Sequence, residues 1–522
     1  MTSNLKFNKE ARESMVQGIK KIYDAVRITF GPKGRNVIID EAYGPPLIIN
    51  DGATIARSIN LSNRWENLGS SLIIEAASKT NELVGDGTTT AIILASVLIF
   101  EGLKKVEKGV NPVHLKNGLD YLLPLIIQMI DDQKIMLSSR DDLLNIAINS
   151  SNDQDISKLI LQALDEVGAD GLINILESND AWTHLEITKG YRFDRSYVSP
   201  YMASDQEKMQ TILERPLILI TNKKISLLTD ILWALETAVE KGYPLLIICD
   251  DIDQEVISSI IINNLNGVFN VVVVKAPSFG EYRDALLQDL SILTGAAFLN
   301  ENSLGSAQKV IIQKEHTTII DGCGLDEELE THLRSLKHQL DYANQLEKGK
   351  IKTRIAKLTS GIALIKVGAA TDIELQEKKL KYEDALNATK SALKDGIVEG
   401  AGKVFYLIGK RLDNLHINSD YQDAKAIMSV TLKAPFHQIV ENGGYHLDAI
   451  IHDLTDELWF DALTGEKCLL RDRGIIDPVQ VLKTSLMNAV SIASMFLTTE
   501  CAIILKNIDK TIDKTINEEN LL

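Results

Sequence analysis

The sequence predicts a multidomain α+β protein in which two mostly helical ends enclose an α/β segment. The chain has 522 residues, which is too long for one simple domain, so roughly two to four domains are expected. Apolar residues recur at helical spacing near both ends of the chain, whereas short apolar runs alternate with helical patterns in its middle. Hydrophobic residues make up 45% of the sequence, which is enough for several large cores.

The first quarter of the chain has the periodicity of long helices. Residues 8–30 place Ala11, Met15 and Ile19 at the spacing of one helical face. Further helical patterns cover 65–83, 88–108 and 112–133, and strands are expected on both sides of Gly44-Pro45-Pro46. Residues 134–188 are mixed and polar, with glycines as boundaries.

The middle of the chain has a different pattern. Continuous apolar runs separated by helical patterns are typical of a parallel sheet that is buried on both faces. The apolar runs are Pro216–Thr221, Pro244–Cys249 and Asn270–Val274, and the helical patterns are 225–241 and 253–264. We therefore predict a compact α/β unit over about 189–362. Helical patterns then return at 374–394, 396–413, 420–442 and 478–497.

The stretch Val84-Gly85-Asp86-Gly87-Thr88-Thr89-Thr90 is the first candidate for a ligand site. Its glycines allow a tight turn and a close approach to a ligand. The three threonines open an apolar helical run, and a helix start of this kind binds phosphate. Asp86 provides a hard oxygen ligand for a phosphate-bound Mg²⁺. A capped turn that opens a buried helix would explain the same residues, so the pattern alone leaves both interpretations open.

Composition and charge argue against several classes of protein. The net charge of −17 and the pI near 5.1 argue against a nucleic-acid-binding surface. Four cysteines lie far apart without a CxxC pair, which favours structural thiols in a reducing cytoplasm. The N-terminus has no apolar signal core and no run reaches membrane-spanning length, so no membrane partner is expected. Neither a Walker A nor a complete GxGxxG motif is present, so an ATP site must use another scaffold.

A second glycine-rich stretch, Thr29–Asn36, ends the first helical pattern and carries two cations. This stretch and further motifs, spread from about Phe7 to Cys501, resemble the group I chaperonins in the same order along the chain. The further motifs are Asp51-Gly52, Gly85–Thr90, Tyr197–Tyr201, Val274–Gly280, Glu383-Asp384-Ala385 and Gly474–Pro478. Motifs of this length in this order are very specific to the family.

The resemblance implies a three-domain chaperonin subunit. A mostly helical equatorial ATP-binding domain would be built from 1–132 and 395–522, and a small intermediate hinge domain from 133–188 and 363–394. The α/β apical polypeptide-binding domain would cover 189–362. The implied protein is cytoplasmic, hydrolyses ATP and assists the folding of non-native polypeptides. It would form homo-oligomeric rings of seven subunits, with a double ring expected, and would work with a small co-chaperonin.

The resemblance also implies a nucleotide site for ATP and Mg²⁺, with K⁺ as a further candidate. Asp86 would hold Mg²⁺, and Asp51 and Asp384 would orient and activate the attacking water. The other nucleotide-binding residues would be Thr29, Phe30, Gly31, Pro32, Asn50, Gly87, Thr88, Thr89, Thr90, Ala401, Asp461, Ala462, Leu463, Ile475 and Asp477. Each acid alone has an ordinary explanation: Asp51 could lie in a turn, Asp384 on a solvated helix face and Asp477 at a helix start.

A polypeptide-binding surface is implied in the α/β unit. The helical patterns 225–241 and 253–264 carry more apolar residues than one stripe against a sheet requires, which indicates an exposed groove. The surplus residues are Leu232, Leu235, Ile257, Ile261 and Ile262, and the resemblance adds Tyr197, Ser199, Tyr201 and Met202. Packing of the surplus inside the unit is the alternative.

Three departures from the family pattern define a rival hypothesis. Asn50 stands where the family usually has lysine, Ala401 where it has the middle glycine of three, and Asp461 where it has asparagine. The rival is a divergent paralogue with a weakened ATP cycle that acts as a binding protein or a partner in mixed rings. The tail also departs, since Leu505–Leu522 is polar and lacks the family's Gly-Met repeat. Ile508, Ile512 and Ile516 have helical spacing, so the last helix could continue there or the tail could be frayed.

Overall fold

The computed structural model of the protein divides the chain into two compact units. It describes residues 3–40, 46–137, 139–168, 171–178, 180–205, 209–298, 303–343, 345–359, 361–452 and 454–505. The first unit contains Met1–Leu161, Glu177–Trp182 and Val367–Leu522, and the second contains Gln162–Leu176 and Thr183–Lys366. The boundaries predicted for three domains stay a prediction.

The N-terminal part of the first unit is mostly helical. Its strands are β1 (Ser3–Phe7), β2 (Val37–Ile39) and β3 (Leu47–Ile49), and its helices are α1 (Asn8–Arg27), α2 (Gly52–Ser58), α3 (Arg64–Val84), α4 (Thr88–Glu107), α5 (Pro112–Asp131) and α6 (Arg140–Ser151). Helix α7 (Gln154–Val167) follows. The predicted face of α1 is confirmed, since Met15 and Ile19 are buried. Strands β2 and β3, which were expected on both sides of Gly44-Pro45-Pro46, pair antiparallel.

The second unit is built on a mixed sheet. Its strands are β4 (Leu172–Glu177), β5 (His184–Phe193), β6 (Thr211–Glu214), β7 (Leu217–Ile220), β8 (Lys224–Ile225), β9 (Leu245–Cys249), β10 (Asp251–Ile252), β11 (Val271–Lys275), β12 (Gly305–Ile312), β13 (Thr317–Gly322) and β14 (Gly361–Val367). Its helices are α8 (Leu232–Lys241), α9 (Gln254–Leu265), α10 (Gly280–Thr294), α11 (Asp326–Tyr342) and α12 (Gln345–Thr359). The main sheet has the order β11-β9-β7-β12-β13-β5-β14-β4. Strands β7, β9 and β11 are parallel and buried, which confirms the prediction from the continuous apolar runs.

The C-terminal part of the chain returns to the first unit. It contains α13 (Asp372–Asp395), β15 (Ile397–Glu399), α14 (Lys403–Asn414), α15 (Gln422–Asn442), α16 (Leu447–Ile451), β16 (Trp459–Asp461), β17 (Glu466–Cys468), β18 (Ile476–Pro478), α17 (Val479–Leu497) and β19 (Cys501–Leu505). Helix α17 packs against α4, and β19 pairs antiparallel with β1. Both ends of the chain therefore share one apolar core.

Two predicted helices begin later in the structure than expected, and the last helix does not continue beyond its predicted end. The helix predicted at 225–241 begins only at Leu232. The Asp230 carboxylate accepts backbone N–H groups of the preceding turn, and this turn is therefore a separate element before the helix. The helix predicted at 396–413 begins at Lys403, because Ile397–Glu399 pairs with β18 as a strand. Helix α17 ends at Leu497 and a strand follows it, while Ile508, Ile512 and Ile516 lie outside the described residues.

Candidate functional site

One cavity in the first unit gathers the predicted nucleotide-site residues. Its volume is about 610 Å³. The lining includes Thr29, Phe30, Gly31, Pro32, Asn50, Asp51, Asp86, Gly87, Thr88, Thr89, Thr90, Asp384, Ala401, Asp461, Ala462, Leu463, Ile475 and Asp477. These residues come from distant parts of the chain, and the structure brings all of them together. Their individual roles stay predictions.

The N-terminus of α4 forms one end of the cavity. Gly87 precedes the helix in the left-handed conformation, with φ 79°, and no side chain caps the first turn. The first N–H groups of α4 therefore have no side-chain acceptor from a cap residue, and such groups bind anions. A Cβ atom at Gly52 would lie 2.3 Å from Thr89 Oγ1, so only glycine allows α2 and α4 to approach this closely.

Three carboxylates surround this end of the cavity. Asp51 is the N-cap of α2 and accepts the N–H groups of Ala53 and Thr54 at 3.2 and 2.7 Å. Asp86 accepts the Gly87 N–H at 2.5 Å. Asp384 lies on α13, far along the chain, but it is close enough to Asp51 and Asp86 to interact with both charges.

Burial and neighbouring charge raise the pKa of two of these acids. Desolvation raises the pKa of Asp384 well above its usual range, and the charges of Asp51 and Asp86 raise it further. Desolvation also raises the pKa of Asp86, although hydrogen bonds from Gly87 and Ser150 oppose this shift. The fold therefore holds mutually repelling acids close together, an arrangement that is common at functional sites.

The variant Asp384→Asn is expected to make the ligand-free protein more stable. Because the pKa of Asp384 is raised on folding, the native state binds more protons than the unfolded state between the unfolded pKa and the native pKa. The free energy of unfolding of the wild type therefore falls as pH rises through this range, and the variant lacks this loss. We expect the variant to be about 1–2 kcal/mol more stable at pH 8 and the difference to shrink at pH 5. Urea unfolding of both proteins at both pH values measures the difference, and a stability difference between variant and wild type that is no larger at pH 8 than at pH 5 would contradict the crowding of acids.

Part of the cavity lining is apolar. Ala401 and Ile475 pack there against the cluster that contains Ala462, and Phe30 joins them. Hydrogen bonds from Asn442 Nδ2 to the Arg27 and Phe30 carbonyl oxygens, at 2.7 and 2.8 Å, hold the Phe30 loop in place. An apolar lining of this kind can accommodate the apolar faces of a nucleobase.

Two further acids line the cavity. Asp461 is buried and accepts hydrogen bonds from Leu463 N and Thr464 Oγ1, both at 2.8 Å, which closes the turn between β16 and β17. Asp477 lies in β18 rather than at a helix start, and desolvation together with the charge of Asp86 raises its pKa to about 7. Both carboxylates can accept hydrogen bonds from ligand hydroxyl groups when ionised.

The contribution of α6 to the cavity was not predicted from the sequence. Ser150 and Asn152 line the cavity, and Ser150 Oγ lies 3.4 Å from Asp86 Oδ2. Asn149 Nδ2 donates to the carbonyl oxygens of Gly474 and Ile476, which attaches α6 to the loop before Asp477. The capping box formed by Ser139 and Asp142 was a sequence signal for this helix start.

The donor set fits a nucleotide with a bound Mg²⁺. Among the described residues, no group of three or more His, Cys, Asp or Glu side chains is arranged to hold a metal ion alone. Mg²⁺ commonly takes one or two carboxylates and fills its other positions with water and phosphate oxygens. Asp86 beside the helix N-terminus satisfies this requirement without a complete protein cage.

The apolar surplus of the second unit is divided between surface and core. Leu232 and Ile262 are exposed, at 43% and 57%. The expectation of exposure was wrong for Leu235 and Ile257, which are buried at 4% and 7% because both pack into the core beneath the helices. Ile261 is half-buried.

The predicted binding residues Tyr197, Ser199, Tyr201 and Met202 are likewise divided between exposed and buried positions. Tyr201 is 73% exposed, whereas Met202 is buried at 5% in the core of the unit. Tyr197 and Ser199 are half-buried, and the Tyr197 hydroxyl donates to the Met209 carbonyl oxygen at 3.3 Å. The exposed members of the predicted set are therefore Tyr201, Leu232 and Ile262.

The helical unit is built from both termini and contains an acid-lined cavity, and the α/β unit is inserted in the chain between its two parts. This is the architecture of a chaperonin subunit. The chain belongs to the TCP-1/cpn60 chaperonin family, whose model matches residues 22–507. The predicted fold class is thereby confirmed. Within the described residues, none of the helices has the length and apolar character needed to span a membrane.

Among the solved structures that share this fold are two of a phage protein. Both are of the chaperonin gp146 from the bacteriophage EL 2 (Pseudomonas aeruginosa) in the presence of ATP-BeFx. Crystal form II aligns with a TM-score of 0.67 and crystal form I with 0.61. Each alignment has 22% sequence identity and covers 96% of this chain and 99% of the phage chain. At this identity, the alignments establish a shared fold.

Proposed function

We propose that the protein is an ATP-dependent chaperonin subunit that binds non-native polypeptides and assists their folding in a ring-shaped chamber. The observation that carries this proposal is the single cavity that gathers every predicted nucleotide-site residue in a chain of the chaperonin family. The phage relative was crystallised in the presence of an ATP analogue, which agrees with a nucleotide in this cavity.

Each part of the cavity has a role in this proposal. The α4 N-terminus binds the phosphates, Asp86 would hold Mg²⁺, and the apolar lining around Ala401 and Ile475 contacts the base. Asp477 accepts hydrogen bonds from the ribose. Asp51 and Asp384 orient and activate the attacking water, because phosphoryl transfer depends on positioning and charge compensation more than on covalent chemistry.

The exposed apolar residues of α8 and α9 are the proposed contacts for non-native chains and for a small co-chaperonin. Leu232 and Ile262 provide apolar area outside the core, and Tyr201 adds an exposed aromatic ring. Seven-membered rings, a double ring and a cytoplasmic location remain part of the proposal. The equatorial, intermediate and apical boundaries at 132, 188, 362 and 394 belong to it as well.

Native mass spectrometry with and without ATP tests this proposal together with an ATP turnover assay. We expect particles whose mass is a multiple of seven subunits, measurable release of phosphate, and reduced aggregation of a denatured protein in the presence of ATP. A monomer that releases no phosphate would contradict it.

A weakened ATP cycle is the second candidate function, and the conformation of Ala401 favours it. Ala401 has φ 53°, in the left-handed region where a Cβ atom is strained and glycine is not. Asn50 lines the cavity without contributing a cation, and Asp461 adds a negative charge near an anionic ligand. These three features all disfavour ATP binding, while the α4 N-terminus and the acids remain.

The triple variant Asn50→Lys, Ala401→Gly and Asp461→Asn is expected to bind ATP roughly tenfold more tightly than the wild type. The lysine adds a cation near the phosphates, glycine relieves the strained turn, and the amide removes a charge beside the anionic ligand. Isothermal calorimetry with ATP measures the change. If the triple variant binds no more tightly than the wild type, the departures are neutral and the weakened cycle loses its main support.

A further inference from the structure

One face of α13 forms a wall of the nucleotide cavity. Glu377, Leu380, Lys381, Asp384 and Ala388 all line the cavity. Their spacing is that of one helical face, so Lys381 lies one turn before Asp384 and on the same side. Since Asp384 interacts with the charges of Asp51 and Asp86, this face leads directly to the phosphate end.

The cavity has a strong excess of acidic side chains. Among the described residues, seven carboxylate side chains line it, and Lys381 and Arg473 are the two cationic ones. Arg473 forms an ion pair with Glu466 of β17, at 3.2 Å, on the side of the β16–β17 turn. Lys381 is therefore the cation placed beside the acids that surround the phosphate site.

The present partner of Lys381 is easily exchanged. Its Nζ lies 2.8 Å from Glu377 Oε1, one turn further from Asp384, and both side chains are about one-third exposed or less. Ion pairs of this i,i+4 type stabilise a helix only weakly. A triphosphate with several charged oxygens offers the ammonium group a stronger partner than a single partly solvated carboxylate.

We propose that Lys381 is a phosphate-binding residue that contacts the triphosphate directly and supplies the positive charge that position 50 lacks. This assignment rests on the proposed ATP-binding function. When ATP binds, the ammonium group moves from Glu377 to a phosphate oxygen. The movement connects the nucleotide to the helix that carries Asp384, so Lys381 also helps to place this acid.

The variant Lys381→Met tests the assignment. Calorimetry with ATP and with adenosine on the same preparation should show ATP affinity reduced roughly tenfold and adenosine affinity unchanged, because only the triphosphate contacts the ammonium group. Addition of Asn50→Lys to the Lys381→Met variant should recover most of the lost affinity, since a second cation then lies at the phosphate end.

The matched control is Lys378→Met. Lys378 lies on the same helix and pairs with Glu374 at 2.7 Å in the same i,i+4 arrangement, but it does not line the cavity. Its variant should bind ATP as the wild type does. Equal ATP affinity in Lys381→Met and the wild type, or equal losses for ATP and adenosine, would overturn the role of Lys381 alone. A wild type that binds no ATP would refute the proposed function as well.

Discussion

ATP turnover by the Asp384→Asn variant is expected to fall by roughly 10²–10⁴-fold, with ATP affinity close to that of the wild type. Asp384 lines the same cavity as the first residues of α4 and interacts with the charges of Asp51 and Asp86, and it is the proposed acceptor of a proton from the attacking water. Asparagine keeps the shape of the side chain but cannot act as a base. Binding should persist because the contacts assigned to the base, the ribose and the phosphates come from other residues.

The contrasting variant is Asp86→Asn. Asp86 is the proposed Mg²⁺ ligand, so its loss should weaken the binding of Mg-ATP itself and raise the Mg²⁺ concentration needed for turnover. Fluorescence titration with a nucleotide analogue gives the affinity, and single-turnover phosphate release gives the rate. If both variants lose affinity equally, the two acids do not have the separate roles assigned to them.

The raised pKa of Asp384 predicts a pH dependence of turnover, which is a second way to test its role. A raised pKa brings a carboxyl group closer to the working pH, which suits a general base. The rate of single turnover should therefore rise with pH in the wild type as Asp384 loses its proton. The residual rate of the asparagine variant should lack this rise.

The helical framework of the first unit was predictable because its cores have strong periodicity. Ile22 and Val26 of α1 are fully buried, as the spacing of the apolar residues requires. The strand Ile397–Glu399 was missed because three residues between glycines have no periodicity of their own. Its pairing with β18 depends on residues about 80 positions away, and a local pattern carries no information about such partners.

The site itself was predictable only through the joint resemblance of its motifs. Asp384 occupies a helix face that any solvated acid could occupy, and its approach to Asp51 depends on tertiary packing. Asn387 shows how closely this packing is fixed, because a Cβ atom on Gly85 would lie 2.1 Å from its Nδ2. Ser150 was missed because its helix was judged as a mixed polar segment.

The division of the apolar surplus in α8 and α9 has a similar cause. Periodicity assigned one narrow stripe of each helix to the sheet and left the adjacent stripe for solvent. A helix that covers a sheet commonly buries a stripe of 100° or more. Leu235 and Ile257 fall within that wider stripe, whereas Leu232 and Ile262 lie beyond it.

This division leads to opposite expectations for Leu235→Ser and Ile262→Ser. Leu235 is 4% exposed and belongs to the core of the second unit, so serine should lower the free energy of unfolding by about 3–5 kcal/mol through lost burial and a buried hydroxyl. Ile262 is 57% exposed, so its replacement should change stability by about 0.5 kcal/mol or less. Denaturant unfolding followed by circular dichroism distinguishes the two.

For Ile262→Ser, capture of a denatured protein should change even though the stability does not. Ile262→Ser removes apolar area that a non-native chain can contact, so it should weaken capture while the protein stays folded. Ile262→Leu keeps the apolar area and is expected to capture as the wild type does. Light scattering of an aggregating client at increasing chaperonin concentration measures capture for the wild type and the two Ile262 variants. Unchanged capture by Ile262→Ser, with unfolding equal to that of the wild type, would show that this face of α9 is not the polypeptide-binding surface.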